Sequence, residues 1–218
     1  LDVHRALPGA LVIDGHADTP QRFLDERYDL ADPLGGGNFN LASARAGSLA
    51  AQFFAIWVEP GRYKGRYANR ALALIDAVRQ QVARHADQVE LATSAEGIER
   101  VHAQRKFAVL IGIEGGHAIE GSLVLLKQYY ELGARYMTLT WNNSNGWADS
   151  SGDLDDASVP HTRDGLSQFG VDVVHEMNRL GMMVDVSHVA DRTFYRTLSV
   201  SRAPVIASHS NARALCAA

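Results

Sequence analysis

Phe107-Ala108-Val109-Leu110-Ile111-Gly112-Ile113-Glu114-Gly115-Gly116 is an apolar run that stops on a carboxylate and two glycines. Its hydrophobic residues do not alternate with polar ones, so the strand it predicts, Phe107–Ile113, has to be covered on both faces. Five further short, β-rich runs are Ala10–Asp14, Leu49–Val58, Tyr136–Trp141, Met182–Val186 and Pro204–Ser208, and several are just as uniformly apolar. Between the strands, apolar residues recur three and four apart. That spacing predicts amphipathic helices over Arg66–Ala86, Ser94–Arg105, Leu123–Leu132, Leu166–Leu180 and Asp191–Leu198. Helices that return the chain between buried strands argue for parallel βα units.

A closed barrel and an open doubly wound sheet both satisfy that pattern, and the placing of polar residues separates them. They collect at the carboxyl ends of several different strands: His16 and Asp18, Glu114, Trp141 with Asn142 and Asn143, His188, and His209. A TIM-type barrel builds its site from many strand ends, whereas an open sheet concentrates it at one switch point. No glycine-rich phosphate loop follows the first strand. The reading is an α/β fold, a TIM-type (β/α)8 barrel. Only about six βα units are present where closure takes eight strands and usually ~250 residues. A single barrel domain over residues 1–218, incomplete at its C-terminal end, is therefore expected, with the missing segment in cis or on a separate chain.

Composition narrows the classes further. Hydrophobic residues make up 46% of the 218 and charged residues 21%, which excludes disorder as the dominant state. A net charge of −4 with no dense basic run leaves nothing for a nucleic-acid surface. The longest apolar stretches, such as Leu49–Val58, fall short of the ~20 residues of a spanning helix. One cysteine, Cys216, excludes an intrachain disulfide and a cysteine-based zinc finger. The chain opens on Leu1-Asp2 without a signal-like segment. A removed export signal and a cytoplasmic origin both fit that start, and the compartment stays open.

His16-Ala17-Asp18 puts an imidazole and a carboxylate two residues apart, on one side of an extended chain. The pair suits zinc and similar cations; the alternative is a surface loop in which Asp18 caps the next helix. Glu114 ends a buried strand, where a carboxylate needs a metal or an ionic partner such as an arginine. Val184-Asp185-Val186-Ser187-His188 and Val205-Ile206-Ala207-Ser208-His209 are two apolar strands that each finish on Ser-His. Together these ends supply three histidines, one aspartate and one glutamate. Two cations fit that count if Glu114 bridges, with His16 and Asp18 on one and His188 and His209 on the other. Two metals ~3.5–4 Å apart can hold a hydroxide and polarise a carbonyl, which implies hydrolysis of an amide or related bond. The other histidines read differently: His85, His102 and His175 as helix-surface residues, His4 and His161 as loop residues, and His117 as a loop residue near the site. The acidic run Asp149–Asp156 reads as a solvated loop above it.

The motifs Ile13-Asp14-Gly15-His16-Ala17-Asp18, Ile113-Glu114-Gly115-Gly116, Arg135-Tyr136-Met137-Thr138-Leu139-Thr140, Trp147-Ala148-Asp149-Ser150, Val184–His188 and Ala207-Ser208-His209-Ser210 occur in this order along nearly the whole chain. Their combination closely resembles the membrane (renal-type) dipeptidases. The resemblance implies a metal-dependent hydrolase barrel with two zinc ions, held by His16, Asp18, His188 and His209 and bridged by Glu114, which positions the hydroxide. It implies a dipeptide substrate, with a D-residue tolerated at the carboxyl side, and a homodimer is compatible with it. Two departures matter. The family commonly has a histidine after Leu-Thr where this chain has Trp141, here expected to end a strand and wall the substrate site. Its substrate-carboxylate arginine and proton-handling aspartate would fall past Ala218. Another barrel amidohydrolase, acting on N-acyl amino acids or cyclic amides, and a metal-binding pseudoenzyme are the competing readings.

Overall fold

The computed structural model describes residues 10–162 and 164–215; His4 and Cys216 lie outside them. Six strands form one parallel sheet: β1 (Val12–Ala17), β2 (Leu49–Trp57), β3 (Val89–Leu91), β4 (Phe107–Glu114), β5 (Ala134–Thr138) and β6 (Met183–Asp185). The order across the sheet is β1-β2-β4-β5-β6, with β3 paired to the start of β4. Among the described residues seven α-helices accompany them: α1 (Pro20–Asp25), α2 (Leu41–Ala46), α3 (Tyr67–Arg84), α4 (Ala95–Ala103), α5 (Leu123–Glu131), α6 (Gln168–Leu180) and α7 (Asp191–Val200).

Every residue of β4 is buried, as its unbroken apolar run requires. Val109, Ile111 and Ile113 face the α3 stripe of Ala71, Leu74, Ile75 and Val78, together with Leu126, Val174 and Met177 of α5 and α6. On the opposite face Ala108 and Leu110 join Ala51, Phe53 and Tyr136, covered by Ile98 and Val101 of α4. Burying each large aliphatic side chain is worth ~1.5–3 kcal/mol, so two covered faces anchor the central strands firmly. Local signals set the helix ends. Ser94, Ser122 and Ser167 each accept the backbone N–H three residues on, and Gly181 closes α6 in the left-handed conformation at φ 78°.

Three strand expectations need correction. Pro204–Ser208 is not a strand: a single parallel bridge joins Asp185 to Ile206. The ladder stops because the next donor, the Ser208 N–H, goes to the Asp185 carboxylate at 2.9 Å. The sixth strand is instead β3, three residues long. Tyr136–Trp141 is shortened to Ala134–Thr138, because the Leu139 carbonyl is taken by Gly116 N at 3.2 Å and Asn145 Nδ2 at 2.8 Å. Trp141 therefore lies three residues past the strand. β1 runs on to Ala17, so His16 sits within it.

Candidate metal centre

Glu114 closes β4 with only 3% of its surface exposed, and its two carboxylate oxygens face different partners. Oε2 lies 3.3 Å from His16 Nε2, whose other carboxylate neighbour is Asp18 at 3.5 Å. Oε1 lies 3.1 Å from His188 Nε2 and 3.5 Å from His209 Nε2, and those two nitrogens are 2.7 Å apart. All five residues singled out in the sequence are thus brought to one place. Glu114 has three histidines around it rather than an arginine. Asp18 does not cap α1 with its side chain; only its carbonyl receives Gln21 N–H, at 3.1 Å.

Curvature of the sheet makes this convergence possible. Gly15 lies so close to the 208 turn that an added Cβ would stand 2.7 Å from the Ser208 carbonyl oxygen. The His16 and His209 rings are consequently 3.8 Å apart, although they come from opposite ends of the chain. Gly112 plays a second part: a Cβ there would overlap the Tyr136 ring, which lies across it. Tyr136 thereby reaches His16, its hydroxyl 3.1 Å from Nδ1.

The far nitrogen of each histidine is held. His188 Nδ1 donates to Asn142 Oδ1 at 2.9 Å, and His209 Nδ1 pairs with Ser208 Oγ at 2.8 Å. Partners at Nδ1 leave Nε2 directed at the shared point, the arrangement seen around metal-binding histidines. His188 adopts a left-handed backbone at φ 64°, costly for a residue with a Cβ. Its carbonyl receives Ser151 N–H at 2.8 Å and the Ser151 hydroxyl at 3.0 Å, which secure that turn.

Electrostatics point the same way. Burial alone would lower the pKa of His16, but hydrogen bonds and charge from Asp18 and Glu114 outweigh it, and the group is pushed up to about 9. Burial raises Glu114, yet the three histidines overcome it and hold its carboxyl well below the usual range. The cluster strongly favours positive charge at its centre. Three imidazole nitrogens and carboxylate oxygens are the donor set of zinc and similar cations, and His16, Glu114 and His209 offer atoms within 4.8 Å of one another.

Trp141 stands beside this cluster, its ring centroid 6.4 Å from His188 and 5.0 Å from that of Trp57, the last residue of β2. His117 is not a loop residue: it is buried in a 3-10 turn, Gly116–Ile119, and its Nε2 donates to the Val58 carbonyl at 2.7 Å. Asp149 is not solvated either. Its carboxylate is buried and accepts Thr162 N–H and Oγ–H, both at 2.8 Å.

Donors gathered over the carboxyl ends of parallel strands have the character of a metallohydrolase barrel. Comparison with known proteins is more specific. The sequence model of the membrane dipeptidases, peptidase family M19, matches residues 2–218, and the chain belongs to that family. It is 41% identical over 211 residues to Dipeptidase 3 of Macaca fascicularis, covering 94% of this chain and 42% of that protein. Among solved structures, the probable dipeptidase PvdM from Pseudomonas aeruginosa superposes with a TM-score of 0.82 at 26% identity, covering 95% of this chain and 54% of that one. A Rhodobacter sphaeroides metallopeptidase, liganded with a phosphinate mimic of the dipeptide L-Ala-D-Ala, gives 0.78 at 25% identity, with coverages of 94% and 66%. The chain spans about four tenths of the length of Dipeptidase 3. The sheet corresponds to part of the barrel of these dipeptidases, and the family implies a metal cofactor. No helix among the described residues is long and apolar enough to cross a membrane.

Proposed function

We propose that the protein is a dinuclear zinc dipeptidase and that this chain carries its metal centre. The observation that supports this best is the division of the Glu114 carboxylate, Oε2 toward His16 and Asp18, Oε1 toward His188 and His209. A glutamate placed in this way suits a bridge between two cations. Zinc bound there would supply Lewis acidity and a water activated near neutral pH. Of this chain's own residues, Asn142 and Ser208 orient two of the imidazoles and Tyr136 lies against the third. The Rhodobacter relative, with its dipeptide mimic, supports the substrate class.

The test is metal analysis of the full-length protein alongside hydrolysis of a panel of dipeptides. Two tightly bound zinc ions per protein are expected. Glu114→Gln should lower that number and reduce kcat/KM by more than about a hundredfold, since losing an outer partner of a metal ligand already costs about 10–100-fold. His117→Ala should do much less. Finding at most one bound ion, with Glu114→Gln indifferent to metal content, would remove the bridging assignment.

A further inference from the structure

We propose that Asp185 is a positioning residue for His209, acting through Ser208 and Ser187; its purpose, though not its geometry, rests on the metal reading above. Asp185 is the last residue of β6, flanked by Val184 and Val186, with no exposed surface. A valine would fill such a position without the cost of burying a carboxylate. Five donors meet it instead. Oδ1 accepts Ser187 N–H at 3.1 Å, Ser187 Oγ–H at 3.0 Å and Ser208 N–H at 2.9 Å. Oδ2 accepts Thr138 Oγ–H and Ser208 Oγ–H, each at 2.6 Å.

The consequence lies in how many protons a serine has. Ser208 carries one hydroxyl proton, and the 2.6 Å bond commits it to Asp185; the 3.4 Å approach of Ser187 Oγ is a much weaker claim. Ser208 Oγ then faces His209 Nδ1, at 2.8 Å, only as an acceptor. The imidazole must carry its proton on Nδ1, leaving Nε2 to face Glu114 and His188. A charge-assisted bond to Asp185 also makes that oxygen a better acceptor. The second arm fixes the backbone: Ser187 Oγ donates to Asp185 and accepts His209 N–H at 3.2 Å. One buried carboxylate thus sets both the position and the tautomer of a ring that it does not touch.

The experiment compares wild type, Ser208→Ala, Ser208→Thr and Asp185→Asn in the full-length protein. In 15N-histidine-labelled, metal-free protein, the His209 Nδ1–H should give a resonance protected from exchange, assigned by its absence in His209→Gln. A bonded Nδ1–H exists whether or not Nε2 is protonated, so this signal does not depend on bound metal. Ser208→Ala should abolish the protection and Ser208→Thr should keep it. Zinc titrated against a chelating dye should bind Ser208→Ala about 10–100-fold more weakly at the weaker site, and Ser208→Thr much as wild type. Should Asp185→Asn fail to fold, Ser208→Ala carries the test alone, because it leaves the other four Asp185 bonds in place. A protected Nδ1–H and unchanged zinc affinity in Ser208→Ala would overturn the proposal. A wild type that takes up no zinc, yet loses protection in Ser208→Ala, would sink the metal reading and leave the positioning intact.

Discussion

Trp141 and Trp57 lean against each other with their ring planes 56° apart, beside His188. A histidine in place of Trp141 could donate to a developing oxyanion, whereas an indole offers one N–H and a broad apolar flank. We expect Trp141→His, in the full-length protein, to raise kcat/KM on small dipeptides with zinc content unchanged. The ceiling is the ~2.7–4 kcal/mol that one oxyanion donor contributes. Equal rates across small and aromatic dipeptides of both C-terminal configurations would show that Trp141 only packs. The five polar groups at the strand ends were legible without a structure, because a charged or imidazole side chain closing an apolar strand needs a partner. Trp57 was not legible, since an aromatic residue in an apolar run reads as core. Asp185 was visible as the one charge inside Val184–Val186, but nothing in the sequence says that its partners lie at Thr138 and Ser208.

Helices followed a period that the chain states openly, and α3 to α7 stand where their apolar spacing puts them, with serine caps on α4, α5 and α6. Helices α1 and α2, six residues each, are too short for that period to register, and β3 is shorter still. Strand ends are set by competition for backbone groups. Asp185 stops the ladder at Ile206 through a bond to a residue 23 positions on, and Asn145 takes the Leu139 carbonyl from the loop that follows β5. Gly112 is the most exacting position in β4, since the Tyr136 ring occupies the space of its missing side chain. Gly112→Ala should destabilise the fold by about 1–3 kcal/mol through overpacking. Displacement of Tyr136 should also free His16 Nδ1 and weaken zinc binding. A melting temperature and zinc affinity equal to wild type would show that β4 and β5 can separate without consequence.

Across the sheet, β1 pairs only with β2 among the described residues, and Ile13 on it is 45% exposed. Beyond β6 there is one bridge, at Ile206. Open edges and exposed apolar residues recruit partners. We therefore expect residues 1–218 expressed alone to associate or precipitate at micromolar concentration and to melt broadly. Size-exclusion chromatography with light scattering is the check, and a soluble monomer with one sharp transition would contradict it. The contact between Gly15 and the Ser208 carbonyl carries a consequence for biosynthesis. His16 leaves the ribosome nearly two hundred residues before His209, an interval of about 10–40 s at ordinary translation rates. Throughout it, β1 can pair with β2 while the second half of its cation site does not yet exist. A divalent ion arriving in that interval would meet only part of the proposed ligand set and bind loosely, so secure loading waits until the segment carrying His209 has emerged and the curled sheet brings both histidines together.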